Sequence, residues 1–531
     1  MTFKTLSLLA AAALISLSGC GGDAGNAAST APVTPPVTPP VTPPVTPPVT
    51  PPVTPPVTPP GDGGTTKPPL PPSVTLGFLC EHPRTGLDPN TQFPYPDRQG
   101  THEDEMNWVY AFVDETYLWY QELPTGLKIS DFNTPVDYFN ALKTPAITAS
   151  GHPKDKFHFT YNSVAWDALS SAGTSTGYGI TWVRSTDASQ PRIWRITMVE
   201  PESPAAQAGL LRGDRLLSVD GVKVEDAGSG NAAATFNAGI TPAKSGEVHQ
   251  FVLARGDSQL AVSLTAQKVG GQSVQNVKVL DTPAGKVGYL QFNNHNAVAE
   301  SQLASAFTTL KSAGVSDLVL DMRYNGGGLL TIAAELAYMV AGPDATNGKI
   351  FERLVNNGKE DPPAPEAFIA KAIGYSAATG QLKPGTALPY LGLKRVTVLT
   401  TPGTCSASES VINSLRGVDV EVNLIGGDTC GKPYAFTPAA NCGTTYFTIQ
   451  VQGMNNKGFG DYADGFAPDC RVDDDLEHPL GEQSEALLAT ALQYRSSGVC
   501  PVAARALQRS RPVSMQLVRP PISEISIRDR R

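Results

Sequence analysis

One stretch in the second half of the chain follows an order of patterns that fits few folds. Residues 396–400 form an apolar run, residues 409–415 have a helical pattern, and residues 420–425 form a second apolar run. Two buried strands joined by a helix usually pair in parallel through a right-handed crossover. We therefore predict a parallel sheet in which the turns that follow the two strands lie at the same edge.

Each of these turns carries a residue that is suited to acyl transfer. Ser406 lies in the first turn at the beginning of the helix, where backbone N–H groups favour developing negative charge. Lys432 lies in the second turn, and no acidic residue is closer to it in sequence than Asp428. A serine hydroxyl needs a neighbouring base, and lysine supplies one only when burial lowers its pKa. We predict a Ser406–Lys432 dyad, although each residue alone would fit a helix cap or a surface lysine.

A glycine run upstream of these turns could bind the negative charge of a reaction intermediate. Residues 318–328 read Leu-Val-Leu-Asp-Met-Arg-Tyr-Asn-Gly-Gly-Gly, which is an apolar strand followed by polar residues and glycines. Glycines let backbone N–H groups approach a reacting carbonyl closely. The amides of Gly326, Gly327 and Gly328, together with that of Ala407, are therefore candidates for an oxyanion hole. Taken alone, the run would fit a flexible turn before a helix.

Four ordered motifs together resemble those of the C-terminal processing (tail-specific) serine protease family. They are a strand ending Leu-Asp-x-Arg-x-Asn-x-Gly-Gly at 320–328, Ser-Ala-Ser-Glu at 406–409, Gly-Lys at 431–432 and Gly-x-x-Pro-Asp at 465–469. The resemblance implies a serine endopeptidase with Ser406 as nucleophile and Lys432 as general base. It also implies a ClpP/crotonase-like α/β core over residues 271–500 and no metal or organic cofactor.

One position departs from this family pattern. The family often has a glutamine four residues after the lysine, where it helps to hold the amine, and this chain has Phe436 there. The lysine must then be oriented by another group, such as Tyr434 or a backbone carbonyl. A third catalytic residue is not identified from the sequence.

Residues 171–270 resemble a PDZ domain of the bacterial protease type. The series Ser-Pro-Ala, Ala-Gly-Leu, Gly-Asp and Val-Asp-Gly between residues 203 and 221 carries this resemblance. PDZ domains bind a peptide C-terminus as an added strand and hold its carboxylate on backbone N–H groups. The resemblance implies that the peptide-binding turn comprises Gly177, Tyr178, Gly179 and Ile180. The expected ligands are protein or peptide substrates with unstructured C-termini.

The beginning of the chain predicts export and a lipid anchor. Residues 1–19 have one basic residue and a short apolar run, which is typical of a secretory signal peptide and too short for a stable membrane span. The following Cys20 resembles the lipidated cysteine of bacterial lipoproteins, and Gly21 after it indicates the outer membrane, facing the periplasm. Residues 20–79 then form a linker with seven Val-Thr-Pro-Pro repeats, whose composition favours an extended polyproline-type spacer.

Charge and cysteine content narrow the class of protein further. A formal net charge of −9 argues against nucleic acid as a partner. Seven cysteines less Cys20 leave six, which in an exported protein predicts up to three disulfides. Two pairings stay open for Cys430: a local one with Cys442, or one with Cys405 that would rigidify the proposed dyad. The cysteine spacings do not resemble a zinc site.

The two remaining regions are predicted to be a helical lead-in and a tail. Residues 80–170 contain a helical pattern over 103–121, whose aromatic side chains are expected to pack rather than to bind a ligand. In the family, such segments can pair with another subunit or cover the cleft, so a homodimer or an adaptor partner stays open. The Arg-rich residues 501–531 are expected to be disordered.

The sequence therefore predicts a multidomain α+β and α/β protein that is a lipid-anchored serine endopeptidase of the cell envelope. Two alternatives stay open. A non-catalytic PDZ peptide-binding lipoprotein would explain the PDZ domain but not the intact dyad and glycine run. A histidine-based triad would require His295, which follows the apolar run 287–292 and is the best placed of the seven histidines.

Overall fold

The computed structural model describes residues 70–148, 150–186, 191–375, 382–501, 515–518 and 526–527. The predicted signal peptide, Cys20 and most of the Val-Thr-Pro-Pro linker lie outside the described residues. None of the described helices is both long and apolar enough to span a bilayer.

The N-terminal region is mainly helical, as predicted, and packs on the part of the chain that follows residue 270. Its main helix begins with a capping box between Thr101 and Asp104 and ends at Thr116 rather than near residue 121. The helix ends there because Tyr117 is extended and places its ring in the interior, where its hydroxyl donates to Asp155 at 2.7 Å. Trp108 and Tyr117 are buried packing residues, whereas Tyr110 on the same helix is exposed. The elements are α1 (Ser73–Leu76), β1 (Leu79–Cys80), β2 (Arg98–Gln99), α2 (His102–Thr116), α3 (Pro135–Ala141), β3 (Phe159–Asn162) and α4 (Ser163–Ala172), with short 3₁₀ turns at Tyr120–Glu122 and Ile129–Asp131.

The second region is a small β domain with two short helices, bracketed by one pair of strands. β4 and β11 pair in antiparallel fashion where the chain enters and leaves this domain. Between them the strands form a sheet in the order β10-β9-β7-β6-β5. The elements are β4 (Thr174–Gly177), β5 (Ile180–Ser185), β6 (Trp194–Val199), α5 (Pro204–Gln207), β7 (Arg215–Val219), β8 (Val222–Lys223), α6 (Gly230–Ile240), β9 (Val248–Arg255), β10 (Ser258–Thr265) and β11 (Gln267–Gly270).

The third region contains a six-stranded sheet in the order β12-β13-β14-β18-β19-β24. β12 is antiparallel to β13, and the other five strands are parallel, which confirms the predicted parallel unit. The elements are β12 (Val274–Thr282), β13 (Gly285–Phe292), α7 (Ala299–Ser312), β14 (Asp317–Asp321), β15 (Gly328–Leu329), α8 (Leu330–Ala341), α9 (Pro343–Thr346), β16 (Ile350–Val355), β17 (Glu366–Ala367), β18 (Arg395–Thr400), α10 (Ala407–Gly417), β19 (Glu421–Gly426), β20 (Tyr434–Ala435), β21 (Ala439–Asn441), β22 (Thr444–Phe447), β23 (Val451–Met454), β24 (Cys470–Arg471) and α11 (Ala486–Ser497).

Alternate residues of the parallel strands pack into two separate cores, one on each face of this sheet. Leu318 and Leu320 of β14 join the core that contains α7, α8 and α10. Val319 between them joins the core on the other face, which contains Leu487 and Leu488 of α11. Strands that are buried on both faces explain the continuous apolar runs in the sequence.

Two short strands follow the third region. Met515–Val518 (β25) pairs with β5, and Ser526–Ile527 (β26) pairs with β15. We expected residues 501–531 to be disordered, and these two segments are ordered instead because each completes the hydrogen-bonding edge of another strand.

The six cysteines of the described residues form three disulfides, as the even count predicted. The pairs are Cys80–Cys442, Cys405–Cys430 and Cys470–Cys500. The local Cys430–Cys442 alternative is wrong, and the Cys405–Cys430 alternative is correct. Three disulfides are typical of exported proteins, in which thiols meet an oxidising environment.

Candidate active site

The turn that carries Ser406 joins the end of β18 to the beginning of α10. Ser406 has φ +62°, a conformation that non-glycine residues adopt rarely and that is found at strained functional positions. Its hydroxyl is fully buried and makes no hydrogen bond with a described residue. The residue that follows, Ala407, is the first of α10, so its N–H has no acceptor within the helix.

Lys432 is also buried, with 1% of its surface exposed. Its ammonium nitrogen lies 4.2 Å from the ring centroid of Phe436 and 4.8 Å from that of Phe157. The position where the family often has glutamine therefore contributes a ring face to the amine. Phe157 comes from the N-terminal region, and nothing in its sequence context indicated that it would reach this site.

A single carboxylate holds the backbones of the two candidate residues together. Oε2 of Glu409 accepts hydrogen bonds from the N–H of Ser406 at 2.9 Å and from the N–H of Lys432 at 2.8 Å. Oε1 accepts from the N–H of Gly431 at 2.8 Å and from the hydroxyl of Thr429. Glu409 is fully buried, and burial raises its pKa. The sequence motif included Glu409, but its part in joining the two turns was not predicted.

The same two turns are also joined by the Cys405–Cys430 disulfide, whose Cα atoms are 5.1 Å apart. The N–H of Cys430 donates to the carbonyl of Thr404 at 3.0 Å. Residues 404–406 and 430–432 therefore lie side by side, as the parallel strands predicted. Cys405, Glu409 and Cys430 converge, but both cysteines are in the disulfide and offer no thiolate to a metal.

The glycine run is fixed in position by Asn325. The carbonyl of Asn325 accepts from the N–H of Cys405 at 3.0 Å, and its Oδ1 accepts from the N–H of Gly327 at 3.0 Å. The Gly327 amide is therefore engaged within the run in this structure. Gly328 has φ +140°, and a Cβ there would lie 2.5 Å from the carbonyl oxygen of His295, so only glycine fits. The amides of Gly326, Gly328 and Ala407 are the remaining candidates for an oxyanion hole.

His295 lies against the glycine run and is completely buried. Its Nδ1 is 3.0 Å from Oδ1 of Asn325, and burial lowers its pKa to about 3, so the ring is neutral. Its Nε2 and the Ser406 hydroxyl both lack a hydrogen-bond partner, which means that the two do not bond to each other in this structure. The Ser406–Lys432 pair is favoured over a histidine-based triad because one Glu409 oxygen accepts from the N–H groups of both Ser406 and Lys432.

A buried charge cluster connects the second region to the strand before the glycine run. Arg323 bonds to Glu485 at 2.8 Å and to Asp474 at 2.9 Å. Arg212, from the turn before β7, reaches the same Asp474 at 2.7 Å and the hydroxyl of Tyr324 at 2.5 Å. Opposite charges around it hold the pKa of Asp474 below its usual range despite its burial. Tyr324 precedes Asn325, so the cluster is one residue away from the group that fixes the glycine run.

The predicted peptide-binding turn, Gly177 to Ile180, leads directly into β5. Gly179 has φ +77°, and a Cβ there would lie 2.3 Å from that of Ser203, so the turn packs closely on the beginning of α5. The ring of Tyr178 is buried in the domain core, where it contacts Phe251. Only the backbone of Tyr178 is therefore available to a ligand.

The late Gly-x-x-Pro-Asp motif supports the turn that carries Lys432. A Cβ on Gly465 would lie 2.2 Å from the carbonyl of Thr429, and the N–H of Phe466 donates to the Thr429 hydroxyl at 2.7 Å. The carboxylate of Asp469 accepts from the N–H of Leu424 at 2.7 Å. The motif is thus part of the packing that positions Thr429 beside Glu409.

Comparison with known proteins gives three matches to family models. Peptidase family S41 matches residues 286–472, a PDZ domain matches residues 195–233, and the Peptidase S41 N-terminal domain matches residues 104–159. These spans lie in the third, second and first regions of the fold, respectively. The resemblance that the sequence motifs indicated is confirmed at this level.

Curated relatives and one solved structure agree with the family models. The chain is 25% identical to carboxyl-terminal-processing peptidase 2, chloroplastic, of Arabidopsis thaliana over 43% of this chain and 44% of the relative. It is 26% identical to the C-terminal processing peptidase, chloroplastic, of Tetradesmus obliquus over 61% of this chain and 65% of the relative. The chain thus spans about half the length of these relatives. A Bacteroides fragilis protein assigned to the S41 proteases has the same fold, with a TM-score of 0.57 and 24% identity over 76% of this chain and 98% of that one.

Proposed function

Because residues 286–472 match peptidase family S41 and residues 195–233 match a PDZ domain, we propose that the chain is a serine endopeptidase of the C-terminal processing type. Ser406 is the nucleophile and Lys432 the general base. The observation that carries this proposal is that one oxygen of the Glu409 carboxylate, Oε2, accepts hydrogen bonds from the N–H groups of both residues.

The proposed reaction is acyl transfer through a serine ester. Lys432, as the neutral amine, takes the proton of the Ser406 hydroxyl while the oxygen attacks the peptide carbonyl. Removal of an ammonium group from water is costly, so the burial of Lys432 favours the neutral amine. The protonated lysine then gives its proton to the leaving amine, and water hydrolyses the ester in the same manner.

The amides of Ala407, Gly326 and Gly328 hold the oxyanion in this proposal. The free N–H at the beginning of α10 and the positive end of the helix favour charge that develops next to Ser406. The Ser406 hydroxyl and Lys432 do not share a hydrogen bond in this structure. Catalytic hydrogen bonds often tighten only when substrate binds, so a small movement of the turn completes the site.

The PDZ domain binds the C-termini of unstructured polypeptides at Gly177 to Ile180 and along β5. We propose that the third region is of the ClpP/crotonase-like class, a proposal that rests on the sequence motifs and is consistent with its parallel sheet. We also propose lipidation at Cys20 and a location at the outer membrane, facing the periplasm, which rests on the sequence alone. Incorporation of a labelled fatty acid into the wild type but not into Cys20→Ser tests this anchor.

The proposal is tested by degradation of an unfolded protein by the wild type, Ser406→Ala and Lys432→Ala. We expect the wild type to cleave and both variants, folded as judged by circular dichroism, to lose at least 100-fold in rate. Full activity of either variant would refute the dyad. The alternative of a non-catalytic PDZ peptide-binding lipoprotein predicts no cleavage by any of the three and unchanged peptide binding.

A further inference from the structure

A segment of the chain occupies the edge of the PDZ sheet at which a peptide would be added. β25 runs antiparallel to β5, with Leu517 opposite Val183 and Val518 opposite Trp182. β5 is otherwise the last strand of its sheet. An unpaired edge strand is the surface on which PDZ domains bind extended peptides. The chain therefore fills its own peptide-binding edge.

The same segment contacts the turn that carries the candidate nucleophile. A Cβ built on Gly403 would lie 2.2 Å from Cδ1 of Leu517. Gly403 is three residues before Ser406, so the Leu517 side chain rests on the turn itself. Val518, the next residue, packs against the core of the PDZ domain. One short strand thus touches both the peptide-binding domain and the candidate catalytic turn.

β26, further along the chain, lies beside the glycine run. Ser526 is opposite Gly328 and Ile527 is opposite Leu329 in a parallel pair. β26 also lies alongside β20, which begins two residues after Lys432. The backbone of β26 therefore pairs with the strand that contains Gly328 and lies close to the strand that follows Lys432.

Ser406 is inaccessible to solvent in this structure. It is 0% exposed and Lys432 is 1% exposed, so an external peptide cannot reach the hydroxyl unless part of the protein moves. The two ordered segments of residues 515–527 lie at both ends of the path that a substrate would follow, from the PDZ edge to the glycine run. Segments that bind by strand addition compete directly with any peptide that uses the same edge.

We propose that the two strands Met515–Val518 and Ser526–Ile527 bind intramolecularly along the peptide path and compete with peptide substrates for it. The path selects an extended segment with apolar residues at positions equivalent to Leu517 and Val518. This inference rests on the proposed function for its consequence, which is a lowered affinity for substrates while the segment is bound. Displacement of the segment by a substrate or a partner would open the site.

The test uses binding, which does not depend on catalysis. A fluorescently labelled peptide that copies residues 512–529 is titrated with the full chain carrying Ser406→Ala, and anisotropy gives the Kd. The same titration is made with Leu517→Asp added, and with the chain ended after Pro501. Val499→Asp is the matched control, because it places the same charge on an exposed apolar residue outside the two strands.

We expect Leu517→Asp and the shortened chain to bind the peptide at least 10-fold more tightly than the parent, and Val499→Asp to bind within twofold of it. The shortened chain removes the segment without adding a charge, so it separates loss of the segment from an effect of the new aspartate itself. Equal Kd values in all four proteins, or no binding by any of them, would overturn the inference. With Ser406 restored, the same two changes should lower the KM for a peptide substrate by a similar factor. If the proposed function fails, this hydrolysis is absent while the binding result still decides the inference.

Discussion

Glu409 offers a quantitative test of how the candidate site is assembled. Its carboxylate accepts from three backbone N–H groups, those of Ser406, Gly431 and Lys432, and from the Thr429 hydroxyl. Each buried donor that loses its acceptor lowers the free energy of unfolding by about 1–3 kcal/mol. Glu409→Gln keeps one acceptor oxygen, and its NH₂ group can face Thr429, whose hydroxyl can turn to accept. The Gly431 N–H and the Thr429 hydroxyl proton then lose their acceptor, so the expected loss in the free energy of unfolding is about 2–4 kcal/mol.

Glu409→Ala removes all four acceptor contacts and should cost at least about 4 kcal/mol, with three buried N–H groups left unpaired. Because Ser406 and Lys432 lose their shared anchor, we expect its cleavage rate to fall by about 100-fold or more. Glu409→Gln keeps that anchor and should retain a measurable part of the activity. Urea unfolding gives the stabilities, cleavage of an unfolded substrate gives the rates, and the exposed Glu482→Ala is the control. An alanine variant as active as the wild type, or a glutamine variant worse than the alanine one, would refute this account.

Three further changes test other parts of the structure. Burial raises the pKa of Glu352 to about 7, so the folded state holds a proton that the unfolded state releases, and this stability is lost as pH rises through about 7. In the wild type the free energy of unfolding in urea should be about 3 kcal/mol lower at pH 8 than at pH 5, and Glu352→Gln should abolish this difference. The same pH dependence of stability in both proteins would contradict the prediction. Replacement of Cys405 and Cys430 by alanine should lower the free energy of unfolding by about 3 kcal/mol, measured in urea, and no change would count against the disulfide. Arg212→Ala should lower the free energy of unfolding by about 2 kcal/mol and the cleavage rate by about 10-fold. Replacement of the more exposed Arg195 by alanine should lower the free energy of unfolding by under about 0.5 kcal/mol, and equal effects of the two changes would argue against the buried cluster.

The sequence predicted most of the framework because strand, turn and helix patterns are local. The runs at 396–400 and 420–425 and the helix between them determine a parallel unit, and parallel pairing alone places Ser406 and Lys432 at one edge. The PDZ domain was predicted from the resemblance of the motifs between residues 203 and 221 to those of bacterial protease PDZ domains. The cysteine count predicted the number of disulfides, but the pairing depended on which loops meet in space.

What the sequence did not predict depends on contacts between distant segments. Phe157 reaches Lys432 from a region more than 270 residues away in the sequence, and its neighbours give no sign of this. The ordered strand at Met515–Val518 was missed because the sequence around it is Arg-rich and its partner strand β5 is distant in the sequence. Backbone pairing with a partner strand can order a segment whose own composition favours disorder.

The proposed nucleophile can be identified directly by covalent labelling. The full chain is treated with a fluorophosphonate, which reacts with activated serine hydroxyls, and intact mass and peptide mapping locate the adduct. We predict one adduct on Ser406 in the wild type and at least 100-fold slower labelling in Lys432→Ala. The shortened chain that ends after Pro501 repeats the measurement with residues 515–527 removed. An adduct on another serine, or equal labelling of Ser406 with and without Lys432, would contradict the central claim that these two residues form the catalytic dyad.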